Sequence, residues 1–214
     1  MRTLIITGGT VNIEFLKGFY KDNEYSYCMG VDKGAEYAYN AGIKPDMVLG
    51  DFDSANKDVI TYFNEAADIE VRAFPAEKDE TDTHLALLEA MKLGSTHIDI
   101  IGGIGSRMDH TLANIHIMKL PLEQGIQCRM INESNIISLA NKYVQLKKRD
   151  YPYVSLIPLT SKVGGITTKD MKYPLYDYTM EQGISVGISN EIMDEEGAVT
   201  LRSGILIVIQ SRDL

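Results

Sequence analysis

Two carboxylates stand two residues apart, Asp51 and Asp53, in the run GDFDS from Gly50 to Ser54. They follow the apolar residues Met47 to Leu49, the position at which an α/β enzyme would hold a metal ion. Such a pair points to metal-dependent phosphate chemistry, because hard cations take oxygen ligands and phosphoryl groups need their charge neutralised. Two further segments extend the pattern: KDETD at Lys78 to Asp82, and GGIGSRMDH at Gly102 to His110. Each sets acids or a glycine-rich turn at the start of an apparent helix.

Asp32 follows the apolar run that ends at Val31, so Asp32, Asp51 and Asp53 all fall at carboxyl ends of expected strands. Open parallel sheets bind ligands outside that edge. Asp79 and Asp82 are three apart and are expected near one another on the first turn of the helix around Thr83. Mg²⁺ binds through a few carboxylates plus substrate phosphates, which suits four or five acids converging on one edge. Plainer readings stand beside this one. Asp79 would also complement a helix dipole, Thr81 or Asp82 would serve as an N-cap, and Asp51 and Asp53 would be ordinary turn formers. Their co-occurrence at compatible sheet positions favours chemistry.

In the glycine turn, Gly102, Gly103 and Gly105 would let backbone amides approach a phosphate, and Arg107 could grip its oxygens with a planar fork. The segment lacks the GK[ST] of a Walker A loop and the third glycine of GxGxxG. Asp109 and His110 follow, the histidine either a general base or orienter, or a structural residue. His84, His97 and His116 show no metal-ligand spacing, and the twelve tyrosines read as packing.

These residues need a scaffold. Strands are expected at Thr3 to Thr7, Tyr25 to Val31, Met47 to Leu49, Glu70 to Phe74, Ile98 to Ile101 and Gln127 to Ile131. Helices lie between them, including Ala35 to Ala41, closed by Gly42, and Thr83 to Leu93, closed by Gly94. In the second, Leu85, Leu88 and Met91 mark an apolar face. Alternation of this kind predicts a doubly wound, mostly parallel α/β sheet. After about Asn141 short strand-like runs take over, at Tyr153 to Pro158, Gly183 to Ile188, Ala198 to Leu201 and Ile205 to Gln210. They predict a smaller all-β sandwich or barrel. The expected boundary falls between residues 135 and 150, dividing the chain into 1–140 and 141–214.

Composition narrows the classes. The 214 residues are 44% hydrophobic and 24% charged, as in globular proteins with a real core. A net charge of -9 argues against a grip on a nucleic-acid backbone. Cys28 and Cys128 lack metal-ligand or redox spacing and are expected to be buried free thiols, which suits a reducing compartment. No window is long and apolar enough for a signal peptide or a membrane span, so the expected place is the cytoplasm, away from membranes.

The ordered set VDKGAEYA, KPDMVLGDFDS, EKDETDTHLAL and GGIGSRMDHTLANI resembles thiamine pyrophosphokinases over most of residues 30 to 118. Downstream, SLIPLT, GITTKDMKYPL and GISVGISNE resemble that family's C-terminal domain. The resemblance implies transfer of a pyrophosphoryl group from ATP to the hydroxyethyl oxygen of thiamine, giving thiamine diphosphate and AMP, with Mg²⁺ required. It also implies a homodimer whose thiamine site is built between the catalytic domain of one subunit and the β domain of the other. Two departures stand out: Asp32-Lys33-Gly34 where the family commonly has DGG, and Gly105-Ser106-Arg107 where it commonly has GGR.

Position by position, the resemblance implies that Asp51, Asp53 and Asp82 hold Mg²⁺, with Asp79 and Asp32 beside them. Arg107 and Asp109 would position ATP phosphates, the turn at Gly103 and Gly105 with His110 would bind the nucleotide, and Ser189 and Asn190 would face thiamine. The residues by themselves also allow a metal-dependent phosphohydrolase, a nucleotidyl transferase, or a non-enzymatic ATP-sensing module. A second, β-rich domain favours the kinase, because a hydrolase needs no second substrate pocket.

Overall fold

The structure, a computed structural model, describes residues 1–52, 56–74 and 79–213. It separates into two compact units, Met1–Glu133 and Ser134–Leu214.

In the first unit strands and helices alternate: β1 (Arg2–Ile6), α1 (Ile13–Asp22), β2 (Tyr27–Val31), α2 (Lys33–Asn40), β3 (Met47–Gly50), α3 (Lys57–Glu65) and β4 (Glu70–Ala73). Then follow α4 (Asp82–Lys92), β5 (His97–Ile101), α5 (Met108–Ile117), α6 (Lys119–Glu123) and β6 (Gln127–Ile131). The strands pair in parallel in the order β6-β5-β1-β2-β3-β4. The chain therefore runs outward from β1 through β4, then returns to the other side of β1 with β5. Between β1 and β5 the winding reverses, the place at which open parallel sheets bind ligands beyond their carboxyl ends. Strands covered on both faces must be apolar throughout, and Leu4, Ile5, Ile6, Met47, Val48, Ile98 and Ile100 are almost fully buried.

Local signals set the helices. Asn12 caps α1, its side-chain oxygen accepting from the amides of Glu14 and Phe15 at 3.0 and 3.1 Å. Thr81 caps α4 through the His84 amide at 3.3 Å. Gly42 and Gly94 follow α2 and α4 with positive φ, the stops expected from sequence. The apolar face of α4 differs from expectation. Thr83, Ala86, Leu87 and Ala90 are its buried residues, whereas Leu88 is exposed. Small side chains let this helix lie close to the sheet, so the leucine spacing misreports the packed side.

One charge is buried in the sheet. Asp99 of β5 accepts two bonds of 2.8 Å from the Arg129 guanidinium, one of 3.3 Å from Arg2 and one of 2.7 Å from the Tyr25 hydroxyl. This set satisfies a carboxylate that would otherwise be costly to bury. Burial and the neighbouring Asp99 push the Tyr25 hydroxyl well above its ordinary pKa.

The second unit holds β7 (Asn135–Ala140), β8 (Tyr143–Lys147), β9 (Tyr153–Pro158), β10 (Lys162–Lys169) and β11 (Tyr178–Glu181). It closes with β12 (Asn190–Glu191), β13 (Glu196–Thr200) and β14 (Leu206–Ser211). Its strands pair antiparallel in two sets, β12-β9-β14-β7 and β11-β10-β13-β8. Leu156, Leu206, Val208, Val163, Met180 and Val199 share one core, the packing of a small sandwich. The strand expected at Gly183 to Ile188 is absent. Gly183 and Gly187 take φ of 93° and 98°, breaking the extended run, and Ile184, Val186 and Ile188 are exposed.

Among the described residues no helix is long and apolar enough to cross a membrane. Cys28 and Cys128 are free and buried, and desolvation pushes both thiols far above their ordinary pKa.

Candidate active site

Two glycine turns meet at the crevice between β1 and β5. Thr7 to Thr10, reading TGGT, leaves β1, and Gly102 to Gly105 leaves β5. Backbone bonds join them: the Thr7 amide donates to the Ile101 carbonyl at 2.8 Å, Gly9 to Gly102 at 2.9 Å and Thr10 to Ile104 at 3.1 Å. The fit depends on missing side chains. A Cβ on Gly9 would lie 2.2 Å from the Gly102 oxygen, and one on Gly102, whose φ is +82°, would lie 2.1 Å from the Thr7 oxygen. From α5, the Asn114 side-chain amide donates to the Gly103 carbonyl at 2.8 Å, and the Thr111 hydroxyl accepts from the Gly105 amide at 3.2 Å.

These turns border a cleft of about 620 Å³ whose lining includes Asp32, Lys33, Tyr37, Asp82, Arg107 and His110. Asp32 follows β2 and precedes α2 with φ 50° and ψ -120°, a conformation that a non-glycine residue adopts only when its surroundings enforce it. The enforcement is visible. Its amide donates to the Leu49 carbonyl at 2.9 Å, and its Oδ1 accepts from the Asp51 amide at 3.1 Å. Asp82 opens α4, whose position is fixed by a buried hydroxyl pair, Thr7 with Thr83 at 2.6 Å.

The Asp32 carboxyl titrates at about 7, raised first by burial, then by its hydrogen bond to Asp82 and the charges of Asp82 and Asp51. Three carboxyls thus crowd one edge, Asp32 and Asp51 from beyond strand ends and Asp82 from the start of α4. Among the described residues no three acids, histidines or cysteines form a ready-made metal cage. The donor set nevertheless fits Mg²⁺: hard oxygens, partly buried, whose mutual repulsion a cation would relieve, with waters and phosphates completing the shell. Asp53, expected among the ligands, lies outside the described residues.

The other expected residues divide. Asp79 is exposed, precedes α4 rather than occupying its first turn, and is not part of the cleft lining. Gly103 and Gly105 line the cleft, and a Cβ on Gly103 would meet the Met130 sulfur at 2.3 Å. Arg107 lines it too, but its fork is engaged by Asp109, with Nε and Nη2 donating to the carboxylate at 3.3 and 2.6 Å. That pairing raises the Arg107 pKa and lowers that of Asp109.

In the second unit Ser189 is exposed with φ 57°, its amide donating to the Ser155 hydroxyl at 3.1 Å. Asn190 is buried, and its side chain clamps the Tyr173 backbone. It accepts from the Tyr173 amide at 2.9 Å and donates to the Tyr173 carbonyl at 2.7 Å.

Sequence reading passed over Thr7 to Thr10, Tyr37, Thr83 and Asn114. The signal was present for the first: a second glycine pair directly after a strand, mirroring Gly102-Gly103. Tyr37 had no such mark, and its role follows from its hydroxyl donating to the Gly9 carbonyl at 2.9 Å.

Comparison with known proteins agrees with this geometry. Residues 21–130 match the thiamin pyrophosphokinase catalytic domain, and residues 141–206 match the thiamin pyrophosphokinase vitamin B1 binding domain. A thiamine pyrophosphokinase of Bacillus subtilis (strain 168) is 35% identical, with each chain fully covered. The crystal structure of thiamine pyrophosphokinase from Bacillus subtilis superposes over all of both chains with a TM-score of 0.90 at 32% identity. That of a thiamin pyrophosphokinase family protein from Enterococcus faecalis gives 0.84 at 30% identity, again over all of both chains. With both domains matched in order and the acids and glycine turns gathered at one sheet edge, the chain belongs to the thiamin pyrophosphokinase family.

Proposed function

We propose that the crevice between β1 and β5 is where this protein carries out the family reaction, transfer of the pyrophosphoryl group of ATP to thiamine. The observation that carries this reading is the convergence of Asp32, Asp51 and Asp82 beside a cleft walled by two glycine turns. The unit Met1–Glu133 acts as the catalytic part and the unit Ser134–Leu214 as the thiamine-binding part, β7 joining the second unit ahead of the boundary expected at residue 141.

Thiamine's hydroxyl attacks the β-phosphorus of ATP in line, forming one P–O bond as the bond to AMP breaks, and its proton is released to solvent. No protein nucleophile is needed, so the chain contributes position and electrostatics. Gly103 and Gly105 let the backbone approach the phosphates. Arg107, steadied by Asp109, faces their oxygens, and His110 borders the same space. Asp51, Asp53 and Asp82 would hold Mg²⁺ with Asp32 beside them, while Asp79, exposed and outside the cleft lining, stands apart from this set. When bound, the cation neutralises phosphate charge as the bond breaks. Ser189 offers a hydroxyl to thiamine, and Asn190 holds the Tyr173 backbone beside it in shape.

The exposed apolar run Ile184, Val186 and Ile188 beside Ser189 supports a surface that is covered in a homodimer. Buried free thiols support a reducing compartment, and we place the protein in the cytoplasm. The deciding assay follows AMP release from ATP with Mg²⁺, with and without thiamine. AMP appearing only with thiamine supports the reading; AMP without thiamine indicates a hydrolase, and no turnover indicates a sensor.

A further inference from the structure

A polyphosphate entering the cleft would meet Asp32 and Asp82, and needs positive charge to offset them. Among the described residues of the lining, Lys33 and Arg107 carry that charge. Arg107 meets this need only in part, because its Nε and Nη2 already donate to Asp109. Lys33 is exposed, and its ammonium stands 5.7 Å from the centroid of the Tyr37 ring. Such a cation–π contact is weaker than a charge-assisted hydrogen bond, so it parks the ammonium without neutralising it.

The support beneath Lys33 is firm. It is the first residue of α2, directly after the constrained Asp32. Its stem lies over the TGGT turn, where a Cβ on Gly8 would approach the Lys33 Cβ to 3.6 Å. Tyr37 is itself held by the 2.9 Å bond from its hydroxyl to the Gly9 carbonyl. Four carbons of flexible stem on a fixed root let a point charge follow a phosphate oxygen, as lysine does at other phosphate sites.

We propose that Lys33 is a phosphate-contacting residue of this cleft, its ammonium leaving the Tyr37 face to bind the nucleotide's polyphosphate and making affinity rise with the number of phosphates. The proposal rests on the reading of the cleft as the ATP site. Losing one charge-assisted bond corresponds to about a tenfold change in affinity.

The test measures binding of AMP, ADP and ATP by titration calorimetry at fixed Mg²⁺, together with KM for ATP and thiamine. Lys33→Met keeps the stem and removes the charge. It is expected to weaken ATP about tenfold and AMP much less, with thiamine KM unchanged, and Lys33→Arg is expected to recover most of the loss. Equal weakening of all three nucleotides, a parallel change for thiamine, or no change overturns the assignment. Ser106→Trp, a bulky side chain at another lining position, separates the two readings. If it blocks ATP while Lys33→Met does not, Lys33 is overturned and the cleft stands. If neither variant affects ATP, both are overturned.

Discussion

A Cβ placed on Gly50 would lie 1.8 Å from Oδ1 of Asp32, so the last residue of β3 must be glycine for the Asp32 carboxyl to occupy its position. Gly50→Ala is therefore expected to displace Asp32 from Asp82. A shift of about 1 Å in a positioning group costs on the order of a hundredfold in rate. AMP release would show it, with circular dichroism confirming that the fold persists. Unchanged turnover would mean that Asp32 is not needed where it stands.

Asp51→Asn removes a charge from the acidic edge while keeping the shape. Thiamine diphosphate formation is expected to fall by on the order of a hundredfold to a thousandfold, with little change in thermal midpoint. Near-normal product formation at ordinary Mg²⁺ would remove Asp51 from the set of ligands.

Arg107→Lys keeps the charge but loses the fork that Asp109 steadies. KM for ATP is expected to rise about tenfold while KM for thiamine stays constant. Equal effects on both substrates would point to a structural arginine.

Asp32 has a pH consequence. Burial and the neighbouring acids push its pKa from 3.8 up to about 7, so between those values the folded chain holds a proton that the unfolded chain has released. This contribution to stability is complete below the unfolded value and is lost as pH rises through about 7. Mg²⁺ would relieve the same repulsion. Its effect on the thermal midpoint is therefore expected to be larger at about pH 8 than at about pH 5, where protons compete for the carboxyls. Equal shifts at both pH values would disconnect Asp32 from the metal.

Ser189 and Asn190 are expected to differ although they are neighbours. Ser189→Ala should raise KM for thiamine several-fold and leave both ATP and stability almost unchanged. Asn190→Ala strands the Tyr173 backbone groups and should lower stability by about 1–3 kcal/mol. Chemical denaturation of both variants checks the contrast, and a destabilised Ser189→Ala would sink it.

The acids were legible because β2 and β3 are unbroken apolar runs that stop at Val31 and Gly50, leaving Asp32 and Asp51 as the first residues beyond. The helix stops at Gly42 and Gly94 were legible for an equally local reason. Thr7 to Thr10 was not, because its meaning depends on β1 lying beside β5, a pairing of distant segments that no window of sequence contains. The packed face of α4 was hidden by its small residues, Ala86 and Ala90, which carry less hydrophobic signal than the exposed Leu88. At Gly183 to Ile188 alternating apolar residues mimicked a strand, and the positive φ of Gly187 decided otherwise.

The strand order has a bearing on synthesis. β1 leaves the ribosome before β2 to β5, yet one of its two lateral neighbours is β5, and the cleft's second wall leaves β5 only after Ile101. A nascent chain that has made β1 through β4 thus exposes one long side of β1 and possesses one of the cleft's two glycine walls. Pairing so distant in sequence is slow to form, and an open strand edge invites association with other chains meanwhile. On the proposed reading, in which ATP is bound by both walls, the nucleotide can stabilise this protein only after that wait has ended, so it can hold the finished fold but cannot guide the early one.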